Sequence, residues 1–206
     1  MQEGDESLRA ELAAQLKKHV VSPDGLAVEQ VAMQESERAI EVPKVDPTNP
    51  DLIANLDYSE VIRRTLAVET ADAARGQQLF RQQSCINCHT YANGQQPRGP
   101  HLVDIGKRYK KEELIESIVH PGRKIAQGFD TWAFALDDGQ VQTGFVVLES
   151  AETVTLRDAT GVSRELLQDR IEERVKQEIS MMPQGIVGNL TPEQLADLLA
   201  WLSTLH

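Results

Sequence analysis

The residues best suited to chemistry lie in the short segment SCINCHT, at positions 84–90. Cys85 and Cys88 are the only cysteines in the chain, and His89 directly follows the second. Structural zinc usually takes four thiolate or imidazole ligands, often from two such pairs, and the chain has no second pair. A thioredoxin-like redox pair normally follows a strand and precedes a helix, whereas here a helical pattern comes first. A disulfide across four residues would remove little entropy from the unfolded chain.

The spacing CxxCH is the attachment pattern of c-type haem, in which each thiol adds to a vinyl group and the adjacent histidine ligates the iron. Such a site needs an acceptor for the second ring nitrogen of the histidine, because that bond fixes the orientation of the ring. The segment RGPHL, at positions 98–102, could supply it through the carbonyl of Pro100. Without CxxCH, the same segment would be interpreted as an ordinary turn.

An iron that only carries electrons also needs a sixth ligand, and a thioether is a usual choice. The segment ISMMPQG contains Met181 and Met182, which otherwise would be interpreted as packing residues. Adjacent residues of an extended segment point to opposite sides, and Pro183 favours extended backbone at Met182. The competing ligands are the histidines at positions 19, 101, 120 and 206.

Helical patterns surround these segments. The sequence predicts amphipathic helices over 6–20, over 58–69, from about residue 72, and over 111–120. A connector containing Pro43, Pro47 and Pro50 separates the first two. A closing helix begins at Thr191, where Pro192 suits the first helical position and Gln194 completes a capping box.

In order and spacing, these elements resemble a class I cytochrome c domain over residues 71–128 and 177–206. The resemblance implies one covalent haem c, held by Cys85 and Cys88, with His89 and Met182 as the axial iron ligands. It also implies that the Pro100 carbonyl accepts a hydrogen bond from the histidine, and that Leu102 packs on the haem. In that family the first and last helices cross, which here predicts a contact among Gly76, Phe80 and Trp201.

Residues 129–176 depart from a small cytochrome and predict an inserted antiparallel sheet. Alternating apolar residues flank turn signals at Asp138-Gly139 and at Gly161, and the first half of RIEERVKQEI is predicted to be a strand. Trp132 and Phe134 could cover the haem, although aromatic residues on a strand are more often core. The insert could shield a haem edge, dock a partner or only fill space.

The fold class expected is therefore mainly α, with a cytochrome c domain at 71–206, the β insertion at 129–176 and a helical extension or adaptor at 1–70. This layout resembles insert-bearing cytochrome c domains at the carboxyl end of large exported bacterial dehydrogenase-like proteins. We expect Arg123 and Lys124 to meet a haem propionate or an acidic donor, and Lys107 to Lys111 to form a solvated helix face.

The net charge of −11 makes nucleic acid an unexpected partner. The chain has no apolar run of roughly 18 residues, which predicts no transmembrane segment, and its first residues lack a signal-peptide pattern. The resemblance implies a periplasmic or otherwise exported protein whose targeting segment is absent here. Its expected function is electron transfer between a dehydrogenase-type donor and an acceptor such as another cytochrome, not catalysis. A haem enzyme or a gas or redox sensor with a labile sixth ligand is the alternative.

Overall fold

A computed structural model describes residues 41–92, 99–159 and 161–206. The helix predicted over 6–20 lies outside these ranges. Within them, five α-helices enclose one apolar core, and a five-stranded antiparallel sheet encloses a second, smaller one. The expectation of a mainly α fold is therefore only partly met, because the described residues form a helical part and a five-stranded sheet. None of the helices in these ranges has the length and apolar character needed to cross a bilayer.

The helices follow the predicted order, with one addition. They are α1 (Tyr58–Leu66), α2 (Ala73–Gln82), α3 (Ile105–Arg108), α4 (Lys111–Val119) and α5 (Pro192–Leu202). The sequence patterns predicted all of these except the short α3, and α1 ends three residues earlier than expected.

Local side-chain hydrogen bonds explain where α2 and α5 begin. The Asp72 carboxylate accepts hydrogen bonds from the backbone N–H groups of Ala74 (2.8 Å) and Arg75 (3.1 Å). Thr191 and Gln194 form the predicted capping box, in which the Thr191 N–H donates to the Gln194 side chain at 2.9 Å. Each cap satisfies amide groups that the first turn of a helix leaves without a partner.

Helices α2 and α5 cross in direct contact, as the resemblance predicted. A Cβ atom at Gly76 would lie only 2.9 Å from Cβ of Trp201 and would overlap the Asp197 carbonyl, so only glycine allows this approach. The rings of Phe80 and Trp201 pack with their centroids 4.6 Å apart. Asp197, whose side chain is 1% exposed, accepts hydrogen bonds from the Arg75 Nε (2.5 Å) and the Asp72 N–H (2.7 Å).

The residues that precede α2 pack against the same helical core. The Ile53 N–H donates to the Leu190 carbonyl at 2.8 Å, and Val61 is 1% exposed in the core. An ion pair of 3.0 Å joins Arg64 to Glu193 on α5. The stretch from Ile53 to Arg64 therefore packs against α5 and the residue before its cap, while the domain boundary at residue 70 stays a prediction.

The sheet lies where the turn signals predicted it. Its strands are β1 (Trp132–Leu136), β2 (Val141–Glu149), β3 (Thr153–Arg157), β4 (Ser163–Leu167) and β5 (Ile171–Lys176), in the order β4-β3-β2-β1-β5. Gly139 and Gly161 have φ angles of 79° and 81°, the left-handed conformation that such turns require. Phe134, Leu136, Val154, Leu156 and Leu166 form the core of the sheet.

The two ends of the sheet segment lie side by side. Trp132 at the start of β1 pairs with Lys176 at the end of β5, and the Gln177 N–H donates to the Thr131 carbonyl at 2.8 Å. An ion pair of 2.9 Å between Lys176 and Asp130 closes the same junction. Because the ends meet, the sheet can extend from the helical part without separating the elements on either side of it.

Candidate functional site

The CxxCH motif lies in a tight turn directly after α2. Ser84 adopts a left-handed conformation (φ 59°), and a 3₁₀ turn follows over Cys85–Asn87. The backbone N–H groups of Cys88 and His89 both donate to the Cys85 carbonyl, at 3.2 Å and 2.9 Å. This compact backbone brings all three side chains of the motif to the wall of one cavity.

The cavity has a volume of about 500 Å³, which lies within the range of roughly 300–1,000 Å³ that is typical of ligand and cofactor pockets. Its walls come from the motif turn, the loop before α3, the α3–α4 region, the methionine loop, α5 and the sheet. Apolar wall residues include Phe80, Leu102, Ile105, Leu114, Ile118, Ile125, Ile186, Leu198 and Leu202.

His89 has the hydrogen bond that a haem-ligating histidine needs. Its Nδ1 lies 2.9 Å from the Pro100 carbonyl oxygen and donates to it, which leaves Nε2 available for a metal. Burial lowers the pKa of His89, although the bond to Pro100 acts in the opposite direction. The imidazole is therefore neutral at physiological pH, as metal ligation requires.

The loop that carries Pro100 is itself held in place. The Leu102 N–H donates to the Thr90 carbonyl at 2.8 Å, and the Thr90 hydroxyl lies 2.7 Å from Nδ1 of His101. The Arg108 guanidinium donates to the carbonyls of His101 and Val103 at 3.0 and 3.1 Å. These bonds fix the acceptor of His89, and they place the Leu102 side chain in the cavity wall.

Cys85 is half-buried in the cavity wall, and desolvation raises the pKa of its thiol to about 12. The thiol is consequently protonated at physiological pH and is a weak thiolate ligand or nucleophile. Its apolar surroundings agree better with a covalently substituted sulfur than with a thiolate–metal centre.

Both methionines of the ISMMPQG segment lie in the loop between β5 and α5, and both line the cavity. Met182 also packs against the helical core, and its N–H donates to the Ser180 hydroxyl at 3.1 Å. The structure therefore brings the motif and the methionine loop to one cavity, although more than 90 positions separate them in the sequence.

The histidines that compete as ligands occupy different places. His101 lines the cavity near Thr90, whereas the His120 ring packs edge-on against Tyr58 with centroids 4.6 Å apart. His206 lies 3.9 Å from the Asp104 carboxylate. His19 is outside the described residues.

The cationic residues of the cavity differ from those expected. Arg108 and Lys124 line it, but Arg123 turns away to pair with Glu116 at 3.2 Å and to lie 5.2 Å over the Tyr58 ring. Arg123 is therefore not placed to meet a propionate in this cavity, since its partners come from α4 and α1, while its contact with an acidic donor stays a prediction. Arg108 is exposed, as expected for a solvated helix face, and its guanidinium also bonds to the loop carbonyls beside the cavity.

The sheet contributes wall residues that sequence reasoning missed. Phe145 of β2, with Asp158 and Ala159 after β3, lines the cavity, and so does Phe129 before β1. Trp132 and Phe134 instead pack in the core of the sheet. The pairing of the hairpin strands explains why Phe134 and Phe145 lie on different faces. Phe134 pairs with Gln142, so these two residues share one face of the sheet. Phe145 is three residues beyond Gln142 and therefore points to the opposite face.

One comparison with known proteins bears on the segment that carries the CxxCH motif. Residues 73–154 match the family model described as Cytochrome c. The match supports a c-type cytochrome domain that binds haem and transfers electrons, and its cofactor is one covalently attached haem c. It includes the CxxCH turn, α3 and α4, and it ends in β3, before the methionine loop and α5. The chain has no significant match among curated proteins.

Proposed function

We propose that this protein is a monohaem electron-transfer domain whose iron is ligated by His89 and Met182. One observation carries the proposal: the CxxCH side chains and the methionine loop open on the same cavity, and Nδ1 of His89 already has its acceptor. A largely apolar cavity lined by candidate ligands from two separate segments favours a six-coordinate iron that carries electrons over an iron with an open catalytic position.

The residues present suit the cofactor. Cys85 and Cys88 would hold haem through thioether bonds, Pro100 would orient His89, and Leu102 would pack against the haem. The positive charges of Arg108 and Lys124 at the cavity wall would favour the anionic propionates. When bound, haem c supplies reversible one-electron transfer, while the chain sets the potential and the access of solvent.

Met182 is the better of the two candidates for the sixth ligand. Both methionines line the cavity, but Met182 is the one that also packs against the helical core, which includes residues of α2 and α5. The hydrogen bond from its N–H to Ser180 and the proline that follows restrict its backbone. A restricted backbone positions a ligand with a small loss of entropy.

Two matched variants test this assignment, Met182→Ala and Met181→Ala in the haem-loaded protein. We expect Met182→Ala to abolish the thioether-to-iron absorption band of the ferric protein and to lower the reduction potential on the order of 0.1 V, within the range of roughly 0.8 V that axial ligands span. Met181→Ala should leave both nearly unchanged. The reverse pattern, or a bis-histidine spectrum before mutation, contradicts the assignment.

The rate at which the unmutated ferrous protein binds carbon monoxide tests whether the domain transfers electrons or has a labile sixth ligand. A low-spin protein that binds carbon monoxide slowly agrees with electron transfer. A five-coordinate ferrous protein that binds it rapidly would instead indicate a haem enzyme or a gas sensor.

The proposed setting is the periplasm or another exported location, where a dehydrogenase-type domain donates the electron and another cytochrome accepts it. Its support is the family match, since cytochrome c domains are typically exported and work with redox partners. In this setting, residues 1–70 would form the end of a preceding region of a larger oxidoreductase or an adaptor to it. Electron transfer from such a dehydrogenase, measured by the reduction of the haem, is the corresponding experiment.

A further inference from the structure

The two surfaces of the sheet have different neighbours. One surface contains Phe134, which is fully buried in the core of the sheet. The opposite surface presents Phe145, which is 7% exposed although it lies outside that core. A buried aromatic residue on the second surface must be covered by something other than the sheet, and it lies at the wall of the cavity.

The backbone around Phe145 is built for close approach. A Cβ atom at the preceding residue, Gly144, would lie 2.5 Å from the Arg157 carbonyl oxygen, so a side chain at this position would push β3 away from β2. Phe145 pairs with Arg157 across these strands, and the next two residues, Asp158 and Ala159, also line the cavity. Gly144 thus allows the end of β3 to reach the cavity beside Phe145.

A second aromatic residue connects this wall to the helical part. The rings of Phe129 and Phe145 pack with their centroids 5.0 Å apart, a favourable tilted arrangement. Phe129 belongs to the segment that leaves α4, and its N–H donates to the Ala126 carbonyl at 3.0 Å. The junction between β1 and β5 holds the sheet next to this segment. The wall is therefore anchored at both of its edges.

We infer that the inserted sheet closes the haem cavity against solvent and small external ligands, and that Phe145 is the residue through which it does so. This inference rests on the proposed function, because it assigns a role toward the cofactor. A sheet that only filled space would not need to place a buried aromatic side chain in the cavity wall. An apolar wall lowers the local polarity around the iron, which disfavours the more highly charged ferric form and raises the reduction potential.

The test compares Phe145→Ala with Leu148→Ala in the haem-loaded protein. Leu148 lies on the same strand and is 64% exposed, so its truncation removes a large side chain of β2 without opening the cavity. We expect Phe145→Ala to lower the reduction potential and to increase the rate of imidazole binding to the ferric protein about tenfold. Phe145→Leu should keep the reduction potential and the rate of imidazole binding close to those of the unmutated protein, because leucine fills most of the volume that alanine would leave empty.

A Phe145→Ala protein that matches the Leu148→Ala protein in either quantity overturns the inference. If Phe145→Ala does not fold, as judged by far-ultraviolet circular dichroism, Phe145→Val takes its place, because valine is smaller than phenylalanine and suits a strand. The comparison between positions 145 and 148 does not depend on which side chain is the sixth ligand. The Met181 and Met182 variants test that assignment separately, so the two proposals can fail independently.

Discussion

The substitution Gly76→Ala tests the helix crossing that supports the haem site. The added Cβ would lie 2.6 Å from the Asp197 carbonyl carbon and 2.9 Å from Cβ of Trp201, whereas ordinary contacts are 3.4–4 Å. Helices α2 and α5 would have to separate by roughly 1–1.4 Å, because the Asp197 carbonyl oxygen lies closer still to the added Cβ and backbone atoms cannot move aside as flexible side chains do. The separation would also stretch the hydrogen bonds that the buried Asp197 carboxylate accepts from Arg75 and Asp72.

These effects have different signs, and the unfavourable ones are larger. Overpacking costs roughly 1–3 kcal/mol, and weakening a hydrogen bond to a buried charge costs about 1.5–3 kcal/mol. Replacing a helical glycine by alanine gains about 1 kcal/mol. We therefore expect Gly76→Ala to reduce the free energy of unfolding by about 3 kcal/mol, which corresponds to a fall in Tm of roughly 6–12 °C for a chain of this size.

Thermal unfolding of the haem-loaded protein, followed by circular dichroism, measures this effect. Gly122→Ala is the matched control, since Gly122 is exposed and a Cβ there would meet no atom within 4 Å. Its Tm should change by no more than about 2 °C, in line with the small effects of most surface substitutions. A Gly76→Ala protein as stable as the control would refute the close approach of α2 and α5.

Two further substitutions test the sheet and the closing helix by urea unfolding. Phe134→Ala should cost about 3–5 kcal/mol, because Phe134 is fully buried in the small core of the sheet, whereas Val147→Ala, at a side chain 44% exposed, should cost less than about 1 kcal/mol. Equal losses would show that the sheet has no core of its own. Thr191→Ala should cost about 1 kcal/mol through the lost cap of α5, and Thr191→Asp should recover most of it. An unchanged midpoint for Thr191→Ala would mean that the cap adds nothing to stability.

Local signals made much of the fold predictable from the sequence. The helix starts depend on residues within three positions of each other, as Thr191 and Gln194 show. The hairpins depend on a few residues at their turns, as at Asp138-Gly139, and the ends of the sheet segment followed from where alternation begins and stops. The crossing of α2 and α5 came from family resemblance, because no local pattern specifies which helices meet.

The composition of the cavity wall was less predictable, because it depends on long-range contacts. Arg123 and Arg108 both lie near α4 in the sequence, and only the contacts with Glu116 and with the loop carbonyls determine which of them reaches the cavity. Phe145 could have been assigned to the opposite face of the sheet from the hairpin register. Even so, the register alone does not say that this face meets a cavity. That meeting depends on contacts between residues far apart in the sequence, such as the packing of Phe145 on Phe129.

The mass of the intact polypeptide after acid–acetone extraction, following expression with the haem-attachment machinery, tests most directly whether Cys85 and Cys88 hold a haem. We predict that the colour stays on the protein and that its mass exceeds that of the polypeptide by one haem. The Cys85→Ala/Cys88→Ala double variant should lose the haem on extraction. A colourless unmutated chain with the mass of the bare polypeptide, or one carrying stoichiometric zinc, would contradict the central claim that Cys85 and Cys88 hold one covalent haem.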